Sequence, residues 1–170
     1  FTDSFWYNAV EAEVYASAAC ILSILFYCAL RWEREMNTPR GDRWLILIAF
    51  IVGLSFGIHF MGLLAIPAMG FLYYFKNYKT ITLKNFIIAN LVTVAILLFI
   101  FKLLLPYTMK LFSGFELFFV NSLGMPFNSG TIIAGILFIA LFYFGLRYTR
   151  RKNLGQVNTL LLCVLFIFIG

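Results

Sequence analysis

The chain has 170 residues, 63% hydrophobic, 19% aromatic and only 12% charged, with a mean hydropathy of +0.95. A soluble domain carries about a quarter charged residues and roughly half apolar ones, so this apolar excess exceeds what one small core hides and lipid must cover the rest. The net charge of +6 does not point to nucleic acid. The basic residues form short clusters between apolar runs: Arg31, Arg34, Arg40 and Arg43; Lys76, Lys79 and Lys84; Arg147, Arg150, Arg151 and Lys152. That is the positive-inside pattern of cytoplasmic loops.

In chain order, the first apolar run predicts a span over 9–30 that ends at Arg31. The polar stretch 31–43, with Pro39 and Gly41, is expected in the cytoplasm. The run 44–75 is too long for one span of about 20 residues and short for two. Parity decides. One span would put Lys76, Lys79 and Lys84 outside, against the charge rule. Two short helices, 44–58 and 62–75, return the chain, with a break favoured by Gly57 and Gly62 and a second helix containing Pro67. A span over 85–105 then runs outward to Pro106. Over 108–123, Lys110, Ser113, Gly114 and Asn121 project to one side and Phe112, Phe115, Phe118 and Phe119 to the other, which predicts an amphipathic helix on the outer surface. Spans over 131–146 and 156–170 complete the reading. The fold class expected is all-α: a polytopic transmembrane bundle of about six membrane helices, including a short hairpin. Phe1 follows no basic n-region or cleavage site and Gly170 falls inside an apolar run, so both ends are expected to be cuts through a longer protein. Cys20, Cys28 and Cys163 all lie in apolar runs without metal-ligand spacing and read as packing residues.

Polar groups converge at one depth. At about 1.5 Å per residue, Glu11 and Glu13 above Arg31, His59 above Arg43, Lys102 above Lys84 and Ser129 above Arg147 all rise roughly 24–30 Å, close to the thickness of the hydrocarbon core. Asn128 stands beside Ser129. The pattern predicts a site at the outer interface rather than a pore at the midplane. Glu11 shares a helical face with Asn8 and Tyr15; Glu13 shares one with Trp6, Val10 and Ser17. The two carboxylates therefore cannot both face one cavity, and Glu13 is the preferred candidate, paired with His59, with Asn8, Tyr15, Asn128 and Ser129 as candidates for the rim. Plainer roles compete: wet helix-start carboxylates for Glu11 and Glu13, a turn residue for His59, a snorkelling anchor for Lys102 and a solvated face for Lys110.

The segment Ser4-Phe5-Trp6-Tyr7-Asn8-Ala9-Val10-Glu11-Ala12-Glu13-Val14-Tyr15-Ala16, the stretch Gly53-Leu54-Ser55-Phe56-Gly57-Ile58-His59 leading to Leu64-Ala65-Ile66-Pro67-Ala68, and the stretch Phe118-Phe119-Val120-Asn121-Ser122-Leu123-Gly124-Met125-Pro126-Phe127-Asn128-Ser129-Gly130 together resemble a bacterial multi-pass family, common in Bacteroidetes and long labelled a domain of unknown function. That family is similar to an animal O-mannosyltransferase acting on plexin-type receptor domains, and both resemble GT-C glycosyltransferases. The resemblance implies transfer of a sugar from a polyprenyl-phosphate donor to a protein or glycan acceptor at the external, periplasmic face of a bacterial inner membrane. It implies that the main catalytic carboxylate lies upstream of Phe1, with Glu11 and Glu13 as a second acidic element. A lipid phosphate leaves readily and needs donors for its developing anion; His59, Lys102 and backbone N–H groups at the hairpin break are the candidates. A carboxylate would deprotonate or orient the acceptor hydroxyl. There is no Asp-x-Asp, and the Glu11/Glu13 pair straddles opposite faces, so no metal or other cofactor is expected. A transporter or flippase for a lipid-linked or small substrate is the alternative, and a structural subunit the third reading. Transport predicts paired ionisable groups at the midplane, where the polar residues are only Asn90 and Thr93.

Overall fold

The computed structural model describes residues 3–78 and 80–170, without the side chains at positions 5, 7–14 and 61. The described residues are helical, with no strand among them. In order they form α1 (Asp3–Glu35), α2 (Gly41–Phe56), a 3-10 segment (Phe60–Leu64), α3 (Ala65–Asn77), α4 (Leu83–Leu98), a π segment (Phe99–Leu104), α5 (Leu105–Leu117), a second π segment (Phe118–Ser122), α6 (Ser129–Arg151) and α7 (Gly155–Ile169). Three stretches among the described residues are long and apolar enough to cross a membrane: Tyr15–Glu35, Leu83–Ser122 and Ser129–Arg151. The chain divides into two compact units, Phe1–Val94 with Leu162–Gly170, and Ala95–Leu161.

In the first unit, one end of α1 is clamped by charge and aromatic contacts. Glu35 pairs with Arg31 at 3.4 Å and with Arg43 at 3.2 Å, and Lys76 pairs with Glu33 at 2.8 Å. The Trp44 ring lies 5.3 Å from the Arg31 guanidinium and 5.8 Å from that of Arg43. Trp32 stacks on Tyr73 with centroids 6.3 Å apart. Exposed ion pairs of this kind stabilise little individually. Their value here is positional: the start of α2 and the end of α3 meet the same end of α1. The chain therefore reverses between them, as charge parity requires, and α2 and α3, at 16 and 13 residues, are each shorter than a full crossing of about 20.

Small residues set the close approaches in this unit. A Cβ on Gly53 would collide with the Ile167 carbonyl and lie 3.1 Å from Gly170 Cα, so α2 and the end of α7 touch backbone to backbone. Phe50 and Phe166 pack edge to face beside them. A Cβ on Gly70 would collide with the Thr93 hydroxyl. That hydroxyl donates to the Ala89 carbonyl at 2.7 Å, and Asn90 donates to the Phe86 carbonyl at 2.8 Å. Asn90 and Thr93 thus each bond to their own helix, as packing residues would.

The expected span ending at 105 and the expected surface helix starting at 108 fall within one helical stretch, Leu83–Ser122, of 40 residues. Proline lacks the N–H that would bond the carbonyl four residues back, and its ring crowds that carbonyl. Here Pro106 falls in the first turn of α5, directly after the π segment, where the Leu105 N–H bonds Ile100 O. The wider π turn re-routes the bonds around the proline, so the helix continues. Thr108 donates to the Leu104 carbonyl at 2.7 Å, engaging another acceptor near the proline. α5 runs back along α6: Phe112 meets Phe138 edge to face at 6.1 Å, and a Cβ on Gly130 would collide with the Phe115 carbonyl. The start of α7 then folds against α6, with the Thr149 hydroxyl donating to Asn158 Oδ1 at 3.1 Å.

Gly53→Ala should lower the thermal unfolding midpoint of the purified protein, since forcing a methyl into a closed contact costs about 1–3 kcal/mol. Gly135→Ala, in the interior of α6 where an added Cβ would meet nothing within 4 Å, should leave it unchanged or raise it, because Ala is the better helix former by roughly 1 kcal/mol. Equal midpoints for the two variants would show that the α2–α7 approach does not hold the unit together.

Candidate functional site

The site begins at the reversal between α2 and α3. α2 ends because the carbonyls of its last turn are taken up locally. Gly57 N–H donates to Leu54 O at 3.2 Å, and Ile58 and His59 N–H both donate to Ser55 O, at 3.1 and 2.7 Å. Ser55 is buried and its hydroxyl donates to Val52 O at 2.6 Å. Gly62 sits directly on that hydroxyl: a Cβ there would collide with it and would lie 3.6 Å from Leu25 Cδ1 of α1. Only glycine allows the 3-10 segment to lie this close. The reversal throws His59 back toward α1, and its half-buried imidazole meets the Tyr15 ring at a centroid separation of 5.9 Å, tilted by 44°. Phe56 and Phe60 pack together at 5.8 Å on the same turn.

Of the expected site residues, Tyr15 and His59 are therefore brought together by this first unit. Asn8, Glu11 and Glu13 belong to α1 by backbone, but their side chains lie outside the described residues. Of the backbone N–H groups of the break, the candidate phosphate donors, those at 57–59 are spent on Leu54 and Ser55 carbonyls. A donor hydrogen bond made inside the turn is not open to a ligand.

Lys102, Asn128 and Ser129 lie in the second unit. Lys102 is exposed in the first π segment, its ammonium 5.6 Å from the centroid of the Phe101 ring, as a snorkelling side chain would be. Asn128 and Ser129 form the entry to α6. Asn128 takes a left-handed conformation, φ 71°, and makes no side-chain cap. The cap comes instead from Glu116. Its carboxylate accepts from Asn128 N–H at 2.6 Å, from Thr131 N–H at 2.8 Å and from the Thr131 hydroxyl at 2.9 Å. The first N–H groups of a helix have no partner within it, and a carboxylate there also opposes the helix dipole. Asn128 and Ser129 thus have a structural setting as the start of a capped helix. Sequence reasoning passed over Glu116. The signal was a lone carboxylate ahead of the Pro126–Thr131 turn, but the usual cap is the Asn or Ser at the helix start, and only folding brings residue 116 there.

The chemistry within reach of the first unit is modest. An imidazole can hold or protonate a phosphate oxygen, and a tyrosine can orient it. Among the described residues no group of three His, Cys, Asp or Glu side chains is placed to hold a metal ion.

Glu116→Ala should speed amide hydrogen exchange severalfold at Asn128 and Thr131, with little change in the middle of α6, because it removes the acceptor of both N–H groups. Unchanged exchange at those two amides would mean that solvent caps α6 equally well.

Residues 1–82 match the family model described as protein O-mannosyl-transferase TMEM260 N-terminal domain. No curated protein and no solved structure gave a match. The matched stretch is just under half of the chain, and it contains α1, α2, α3 and the reversal that sets His59 against Tyr15. In that part the chain is similar to the N-terminal domain of a protein O-mannosyltransferase.

Proposed function

We propose that this chain is part of a GT-C-type membrane glycosyltransferase that transfers a sugar, mannose or a close analogue, from a polyprenyl-phosphate donor to a protein acceptor at the external face of the membrane, in a bacterium the periplasmic face of the inner membrane. The observation that carries the reading is the coincidence of the family match over residues 1–82 with the Tyr15–His59 contact inside it. In the reaction the acceptor oxygen bonds to the anomeric carbon of the sugar as the carbon–oxygen bond to the phosphate breaks. The acceptor proton passes to a carboxylate, and the electron pair leaves with the lipid phosphate. A phosphate is a good leaving group, so the protein's task is to hold its charge and to position the acceptor. His59 is assigned to the phosphate.

Glu11 and Glu13 remain the carboxylates proposed to orient the acceptor. The helical period now favours Glu11. It lies four residues before Tyr15, one turn along the same face of a regular helix, and Tyr15 is a described α1 residue that meets His59. Glu13 is two residues from Tyr15, roughly 160° around the axis.

The test is transfer from polyprenyl-phosphate mannose by the full-length protein in vesicles. His59→Ala should raise the KM for the donor with a smaller effect on kcat, as loss of a phosphate contact requires. Glu11→Gln should lower kcat by roughly 10²-fold, the lower end of what a positioned acid or base contributes, and Glu13→Gln by much less. Wild-type transfer rates in all three variants would remove this part of α1 and the reversal from the site. Absence of any transfer or donor hydrolysis by the wild type would remove the glycosyltransferase reading itself.

A further inference from the structure

The cationic clusters of the two units are built differently. In the first unit three of the cations have carboxylate partners: Glu35 for Arg31 and Arg43, Glu33 for Lys76. In the second, Arg147, Arg150, Arg151 and Lys152 close α6 with no ion pair among the described residues, and Glu116 is the sole acidic residue between 95 and 161. Glu116 is committed to the opposite end of α6. Arg147 stands three and four residues from Arg150 and Arg151, the spacing at which like charges repel on a helix surface. The C-terminal end of a helix welcomes positive charge, but the same end of α6 carries four cations in six residues.

Their placement around the helix says what they face. At 100° per residue, Ile132, Ile136, Ile139, Tyr143, Arg147 and Arg150 fall within roughly 80° of arc. The first four are 57–69% exposed. The packed side of α6 is a separate arc, where Ala134, Phe142 and Thr149 are buried and Phe138 meets Phe112; Leu137, Leu141 and Tyr148, between that arc and the stripe, are exposed as well. One face of α6 is therefore an uncovered apolar stripe about three turns long that passes through a tyrosine into arginines. Apolar, then amphipathic aromatic, then cationic is the order met along a phospholipid from acyl chain through glycerol to phosphate.

We propose that this face of α6 is a binding surface for an anionic phospholipid of the surrounding bilayer. The acyl chains lie along Ile132, Ile136 and Ile139, and the headgroup phosphate is held by Arg147 and Arg150 with Arg151 and Lys152 beside it. Arginine suits the role because its planar fork can hold two phosphate oxygens at once. The lipid supplies the negative charge that the second unit lacks at this end, and relieves the repulsion between its arginines.

The test uses the full chain in vesicles of phosphatidylcholine with increasing phosphatidylglycerol, followed by mass measurement of lipids that stay bound on release. The wild type should retain phosphatidylglycerol in preference to phosphatidylcholine. R147Q/R150Q should reduce that preference by roughly 25-fold, about fivefold per arginine near a membrane surface. R147K/R150K, which keeps the charge and guards against a folding defect, should retain most of it, and Lys110→Gln should retain all of it. Soluble glycerol phosphate should fail to displace the lipid, because it offers nothing to the apolar stripe. Equal retention of the two lipids, an undiminished preference in R147Q/R150Q, or displacement by glycerol phosphate would each overturn the proposal. So would cross-linking from position 139 that captures a second copy of the chain or another of its segments in place of lipid.

Discussion

A backbone in hydrocarbon has no water to bond, so every point where the helix stops or changes pitch must satisfy its own N–H and C=O groups. Three such points organise this chain, and each is solved differently. At the α2–α3 reversal the backbone closes on itself, with Ser55 O accepting from both Ile58 and His59. Before Pro106 the helix widens into a π turn. At the start of α6 a carboxylate twelve residues away in sequence takes the N–H of Asn128 and reaches Thr131 as well. These solutions decide where the side chains of interest end up. His59 faces Tyr15 because the turn before it is drawn tight, and Gly62 can follow because nothing but a hydrogen stands between it and Ser55.

The same constraint limits what the reversal can do for a ligand. Backbone donors at a helical break are attractive anion binders when they are left over, but here those at 57–59 are consumed. The midplane tells a similar story. Asn90 and Thr93 bond to carbonyls of their own helix.

Charge separates the units in another respect. The first unit joins its helices at one end through paired charges and stacked rings around Trp44 and Trp32. The second joins α5 to α6 through a buried glycine approach and phenylalanine rings, and leaves its cations facing outward. The aromatic stripe of 108–123, read from sequence as facing lipid or the bundle, is in part accounted for by this: Phe112 turns to Phe138 of α6, and Phe115 stacks on Phe119.

Much was legible before folding because membranes read composition and charge directly. Apolar runs of about 20 residues bounded by arginine and lysine can only be helices in lipid, and parity of the charged loops required a reversal inside 44–75. Gly57 and Gly62 marked its place. The candidate residues His59 and Tyr15 were also visible one by one, as polar or aromatic groups at a common depth. Their meeting was not, since depth along a helix says nothing about direction around its neighbour. Only the tertiary structure decided that Tyr15 is turned toward the reversal. Pro106 shows the same limit from the other side: a proline predicts a break from its missing N–H, but a π turn upstream supplies another route for the bonds. Glu116 is the clearest case. Sequence neighbours nominate Asn128 or Ser129 as the cap of α6, whereas the antiparallel packing of α5 brings a distant carboxylate to the same N–H groups, and a charged acceptor with two oxygens binds them better than a neutral side chain would.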